Sequence, residues 1–301
     1  MLYPELNDLI ALKKQNSSFS RVSRRSVMSL ASGNHQSPFR GQGLEFDSVR
    51  EYVPGSDDIR TIDWKVTARM GSAHVKLFRQ DRERHTIICV DRNTSMQFGT
   101  KNTFKSVQAA RIASLLGWHA LGEQDRVSAL LFGDVPGGVQ FFPPKRTRAS
   151  FYMMLKSLCE PFGETQLVTT SSALENLAKN AHTGSLVYFI SDFMDLNQDV
   201  EESCLHRLNK RCDVVFISIN DLADKSMEAL GKISFSGKNG DKCCIDTESF
   251  SGRKAYENLW NENRGQLYSL TSKAKIPLIE LTTLSDIQKE LPLALKKIGR
   301  K

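Results

Sequence analysis

The polar side chains best suited to chemistry sit just beyond two apolar runs. Residues 86–90 lead into Asp91, Arg92, Asn93, Thr94 and Ser95, and residues 186–190 lead into Ser191 and Asp192. Thr165 lies between the two runs. Asp91, Asn93, Ser95, Thr165 and Asp192 form an all-oxygen set. Such a set suits a hard cation, Mg²⁺ or Mn²⁺, with water completing the octahedron. So few protein ligands leave a coordination position open, and a partner's carboxylate could fill it. Thr169 and Thr170 are alternatives to Thr165, because the interval from Thr165 to Ala173 is long. For Asp91 alone, capping of the next helix is the plainer reading.

These residues need elements that bring distant chain segments together. Five apolar runs read as buried parallel strands: 86–90, 127–132, 186–190, 214–219 and 276–281. Helical stretches fall near 102–121, 146–159, 170–181, 198–210, 252–274 and 284–298. Alternating strands and helices predict an α/β fold with a doubly wound, mostly parallel sheet of the Rossmann type. In open sheets of this kind ligands bind outside the carboxyl ends of the strands, where Asp91 and Asp192 fall. Residues 231–247 read as two short strands around a Gly-Lys-Asn-Gly-Asp turn, a hairpin inserted at about 223–250. Residues 41–83, punctuated by Gly41, Gly43, Pro54, Gly55 and Gly71, read as a small segment of short strands and turns. The expected organisation is therefore a lead-in over 1–40, this segment over 41–83, and an α/β domain over 84–301.

The 301 residues carry a net charge of +7, and the charge is uneven. Residues 9–44 contain no acid but six basic residues (Lys13, Lys14, Arg21, Arg24, Arg25 and Arg40) and many serines. This stretch reads as a solvated, partly helical lead-in. The alternative is an arm for nucleic acid or acidic lipid, but stacking aromatics are scarce there. No apolar run reaches the length of a membrane span. The N-terminus, with acids before its apolar stretch, reverses the order of a secretory signal. The six cysteines show no CxxC pair and read as reduced structural thiols. Together these features predict a cytoplasmic protein.

Enzyme templates fail. Gly237-Lys238 lacks the rest of a phosphate-binding loop, GxGxxG breaks at Phe46, and neither HExxH nor GxSxG occurs. One enzyme reading remains: metal-assisted phosphoryl or ester hydrolysis at Asp91 and Asp192. It has no evident nucleophile or general base.

The pattern Asp-x-Asn-x-Ser, then Thr, then Ser-Asp resembles the metal-ion-dependent adhesion site of von Willebrand factor A domains. The usual opening there is Asp-x-Ser-x-Ser, and Asn93 stands in for the middle serine. This departure motivates a second reading, a metal-free interaction protein. The block over 41–84 resembles the signature of the bacterial domain-of-unknown-function family 58. The shared positions are Gly41, Gly43, Glu45, Phe46, Arg50, Tyr52, Pro54, Gly55, Asp57, Asp58, Arg60, Ile62, Asp63, Trp64, Ala68, Arg69, Val75 and Lys76. The resemblance spans about 35–300 and includes Cys244-Ile245-Asp246-Thr247. It implies a von Willebrand factor A-like fold, no enzymatic activity, and work beside a MoxR-type AAA+ ATPase in complex assembly, maturation or stress response. Arg50, Asp57, Asp58, Arg60, Asp63, Trp64 and Arg69 are then candidates for partner docking. The structural alternative is internal Arg–carboxylate pairing, with Asp63-Trp64 as an anchor.

Overall fold

The computed structural model describes residues 3–15, 45–79, 85–163, 168–196, 198–229, 231–236 and 242–298. The chain divides into two compact units, residues 32–83 and residues 1–31 with 84–301. Helix α1 (Leu6–Ala11), continued by a 3-10 turn over Leu12–Gln15, belongs to the larger unit.

In the smaller unit, β1 (Glu45–Glu51) is followed by a 3-10 turn over Ile59–Thr61, helix α2 (Trp64–Met70) and β2 (His74–Arg79). β1 and β2 pair antiparallel, with an irregularity between Phe46 and Ser48. The strands were expected; the helix was not. Asp63 caps it by accepting from Lys65 N and Val66 N, and Gly71 ends it at φ 77°. A side-chain acceptor at the start and a left-handed glycine at the end suffice for a two-turn helix.

The larger unit continues with β3 (His85–Arg92), α3 (Lys105–Gly122), β4 (Arg126–Gly133), β5 (Val139–Lys145), α4 (Arg148–Leu158) and α5 (Thr170–Asn180). Then come β6 (Leu186–Ser191), α6 (Gln198–Asn209), β7 (Asp213–Asn220), α7 (Leu222–Lys225), β8 (Lys232–Ser236), β9 (Lys242–Asp246), α8 (Phe250–Ala274), β10 (Leu278–Thr282) and α9 (Ile287–Ile298). Six strands form one sheet in the order β10-β7-β6-β3-β4-β5, parallel except for β5. This is the mostly parallel α/β sheet expected from the apolar runs. Strand β5 escaped the apolar-run reading because Pro143 and Pro144 lie in it. Proline cannot donate to a ladder, and β5 tolerates it by occupying the sheet edge. β8 and β9 pair antiparallel as the inserted hairpin.

Alternate residues of each strand feed two cores. Ile88, Val90, Ala129, Leu131, Tyr188, Ile190, Val215 and Ile217 pack with α1, α3, α4 and α9. Ile87, Cys89, Leu130, Phe132, Val187, Phe189 and Phe216 pack with α5, α6 and α8. A period of two on strands buried on both faces is what a helix–sheet–helix sandwich requires. Phe193 stacks on Phe216 at 4.8 Å between ring centres, next to Phe189. Among the described residues no helix is long and apolar enough to cross a membrane. The thiols of Cys89, Cys159, Cys204 and Cys212 are free, as expected.

Residues 6–12 depart from the solvated lead-in. Leu9 and Leu12 are buried in the first core. The Leu9 carbonyl accepts from Ser114 Oγ at 2.6 Å and Trp118 Nε1 at 3.0 Å. Pairing that carbonyl offsets the cost of burying it. Leu9→Ala is expected to lower stability by about 2–4 kcal/mol, measured by urea unfolding. A loss under about 0.5 kcal/mol would mean that α1 is not part of the fold's core.

His85 sits at the start of β3, with Nε2 2.8 Å from Ser128 Oγ and Nδ1 3.2 Å from Ser185 Oγ. Burial, helped by the nearby His182 and Arg126 charges, pulls its pKa from 6.5 down to about 4. Between pH 6.5 and 4 the unfolded chain therefore takes up a proton that the folded chain refuses. Stability from this site is complete above pH 6.5 and falls with pH down to about 4. The drop in Tm between pH 7 and pH 5 should be smaller in His85→Asn than in wild type. Equal drops would remove His85 from the acid response.

Candidate functional site

The chain turns from one half of the sheet to the other at β3, with β4 on one side and β6 on the other. Side chains at the carboxyl ends of β3 and β6 therefore face one crevice. Asp91, opposite Phe132 of β4, is 1% exposed. Its Oδ1 accepts from Asn93 N at 2.8 Å and its Oδ2 from Ser191 Oγ at 2.6 Å. Ser191 Oγ in turn accepts from Phe193 N at 3.0 Å. The two strand ends are thus stitched together through one carboxylate. Burial first, then the charge of Asp192, pushes the Asp91 carboxyl up to about 8. Hydrogen bonds from Ser191 and Asn93 N work against that rise. A buried carboxyl with a second one beside it is held in its anionic form by a nearby cation.

Asp192, also buried, has such a cation. Lys105 Nζ, at the first turn of α3, lies 2.9 Å from Asp192 Oδ2 and 3.2 Å from Asp224 Oδ2. Burial works against the Lys105 charge, but Asp192 and Asp224 outweigh it and hold the ammonium above its ordinary range. Burial pushes Asp224 up, with the Asp192 charge adding to the rise, against the pull of Lys105 and the Asp221 N–H. Arg264 of α8 donates to the Asp192 carbonyl at 2.6 Å and to Ser218 Oγ at 2.8 Å, fixing the backbone after β6.

Asn93, Ser95 and the threonines are placed unequally. Asn93 is 2% exposed; its Nδ2 donates to Val168 O at 2.9 Å, and its Oδ1 is buried without a hydrogen-bond partner. That orphaned amide oxygen, on a residue whose backbone N–H donates to Asp91, is chemically able to join a hard-cation shell. Ser95 is partly buried on the 3-10 turn Thr94–Gln97. Thr165 lies outside the described residues. Thr169 is exposed and caps α5 through Ser172 N. Thr170 is fully buried, with Oγ1 donating to Asp195 Oδ1 at 2.5 Å and N to Asp195 Oδ2 at 2.9 Å. Among the described residues, no three His, Cys, Asp or Glu side chains are grouped as metal ligands. A cation here would rest on two carboxylates plus amide and hydroxyl oxygens, so the donors fit a weak, water-rich Mg²⁺ site.

Four residues of this neighbourhood were not anticipated: Lys105, Asp195, Asp224 and Arg264. Lys105 left one signal. A lysine opening an apolar helix puts positive charge at the positive end of the helix dipole, so something else must hold it. Asp195 and Asp224 lie three residues beyond Asp192 and Asp221, at the ends of strands β6 and β7. Arg264, in the middle of a long polar helix, left none.

The candidate docking residues of the smaller unit divide by use. Arg50 grips Asp57 with a two-point fork at 2.8 and 2.5 Å, and Val53 N adds a bond at 2.9 Å. The Arg50 guanidinium holds the Asp57 carboxyl below its usual range. Asp58 caps the 3-10 turn through Arg60 N, and Asp63 caps α2. These four make the unit's internal structure. Arg60, Trp64 and Arg69 present exposed side chains, Trp64 at 68%.

Residues 48–266 match the family described as "Protein of unknown function DUF58". Uncharacterized proteins of Mycobacterium tuberculosis (strain ATCC 25618 / H37Rv) and Mycobacterium bovis (strain ATCC BAA-935 / AF2122/97) are each 29% identical over 206 residues. The match covers 67% of this chain and 62% of each relative, so the chain spans under two thirds of those relatives' length. Among solved structures, the conserved hypothetical protein BatB from Bacteroides thetaiotaomicron aligns at TM-score 0.48 and 15% identity, over 72% of this chain and 100% of its own. An aerotolerance-related membrane protein from Bacteroides fragilis NCTC 9343 aligns at TM-score 0.44 and 15% identity, over 71% and 99%. These structural likenesses are too distant to bear on function.

Gly133, at the end of β4 with φ 101°, lies against the site. A Cβ there would come within 2.6 Å of Asn93 N and 2.9 Å of Asn93 Oδ1. Gly133→Ala should therefore cost about 1–3 kcal/mol by denaturant unfolding and shift the amide resonances of Asn93. Wild-type stability in this variant would show that the close approach is not required.

Proposed function

The chain belongs to the DUF58 family, and from that premise we propose that it is a non-enzymatic interaction adaptor with a von Willebrand factor A-like larger unit. Its partner site is the crevice at Asp91 and Asp192. Mg²⁺ or Mn²⁺ would be held by Asp91, Asn93 and Ser95, with Asp192 and a threonine joining directly or through water. Thr170, buried with its hydroxyl on Asp195 Oδ1, stands beside Thr165 as a candidate for that threonine. A bound cation supplies an electrophilic position that a partner's Asp or Glu can complete. The observation that carries this reading is the burial of Asp91 and Asp192 together at the point where the sheet changes direction. A buried acidic pair is costly unless a cation compensates it. The partner is proposed to be a MoxR-type AAA+ ATPase in the cytoplasm, a suggestion that comes from the family resemblance. Arg60, Trp64 and Arg69 are offered as a second contact surface.

A second reading, a metal-free interaction site, draws support from the Lys105–Asp192 ion pair, because an internal ammonium already compensates one carboxylate. Calorimetric titration with Mn²⁺ separates the two. Metal bridging predicts binding by wild type, its loss in Asp91→Ala, and a co-purifying ATPase that EDTA releases. Retention of the partner in EDTA, with a folded Asp91→Ala that also retains it, would favour the metal-free reading.

A further inference from the structure

We propose that Lys105 sets how tightly the Asp91–Asp192 crevice takes a divalent cation, acting as a tethered competitor for Asp192 that Asp224 draws aside when the cation arrives. This deepens the adhesion-site reading above and rests on it.

Three observations support it. First, the Lys105 side chain is 2% exposed, so its ammonium has no route to solvent and must sit on protein acceptors. Its two carboxylate partners are Asp192 Oδ2 at 2.9 Å and Asp224 at 3.2 and 3.4 Å. Second, Asp224 is held independently of Lys105. Its Oδ2 accepts from Asp221 N at 2.7 Å in a reciprocal cap of α7. Asp221 is fixed in turn by Thr100 Oγ1 at 2.7 Å and Thr283 Oγ1 at 2.6 Å. Asp224 therefore stays in place as an acceptor when Asp192 turns to a metal. Third, helix geometry gives no reason for a lysine here, since the helix dipole opposes a cation at its first turn. An ammonium on Asp192 repels an incoming divalent ion and takes lone pairs it would use; drawn onto Asp224 it does less of both.

The test uses Mn²⁺ affinity of the full chain, measured by calorimetry, with Tm as a separate readout of folding. Lys105→Met is expected to tighten Mn²⁺ binding at least tenfold, and Asp224→Asn, which leaves the ammonium to Asp192 alone, to weaken it at least threefold. Should Lys105→Met fail to fold, Lys105→Met/Asp224→Asn removes the charges as a pair. It should bind at least tenfold tighter than Asp224→Asn. Lys101→Met removes an exposed charge and should change affinity less than twofold, because water and salt screen it. A purely structural role for Lys105 would weaken binding in both single variants, and that result overturns the proposal. Metal binding that depends on Asp91 but not on Lys105 overturns this inference alone. No binding by any variant overturns the adhesion-site reading with it.

Discussion

One buried ammonium shared among buried carboxylates is the constraint that the crevice depends on. Asp91, Asp192, Asp224 and Lys105 all lie inside the protein. Each buried charge costs several kcal/mol of desolvation unless geometry and hydrogen bonds offset it. The surroundings do this piece by piece. Ser191 and Asn93 N serve Asp91, Lys105 serves Asp192 and Asp224, and Asp221 N completes Asp224.

The rest of the larger unit holds that cluster still. Helix α3 delivers Lys105 and is itself packed between the sheet and α1, α4 and α9. Arg264 pins the backbone after β6, and Asn93 ties the end of β3 to Val168 just ahead of α5. Segments far apart in sequence thus meet around two aspartates, each fixed by a bond to a neighbouring element. The smaller unit follows a different economy. It uses Asp57, Asp58 and Asp63 as local caps and pairs, leaving Arg60, Trp64 and Arg69 exposed.

Some of this was legible in the chain alone. Apolar runs located the five parallel strands because strands buried on both faces carry no polar alternation. The carboxyl ends of those strands pointed to Asp91 and Asp192, since loops at that edge converge. Local patterns failed where a neighbour decided the outcome. Leu9 and Leu12 come from a short apolar stretch just ahead of a basic, serine-rich run, yet Ser114 and Trp118 on α3 receive the Leu9 carbonyl in the core. Residues 139–145 carry two prolines, and only their place at the sheet edge makes them a strand.

What the sequence determined by itself is the α/β class, the strand ends and the two aspartates, because hydrophobic period and motif spacing are local properties. What only the tertiary structure decided is which ammonium meets Asp192. Lys105 lies 87 residues from Asp192 and 119 from Asp224, and no spacing rule connects them. The choice between an ammonium and a metal ion as counter-charge is made where these chain segments meet, since electrostatic energy in a buried site depends on distance through space rather than along the chain.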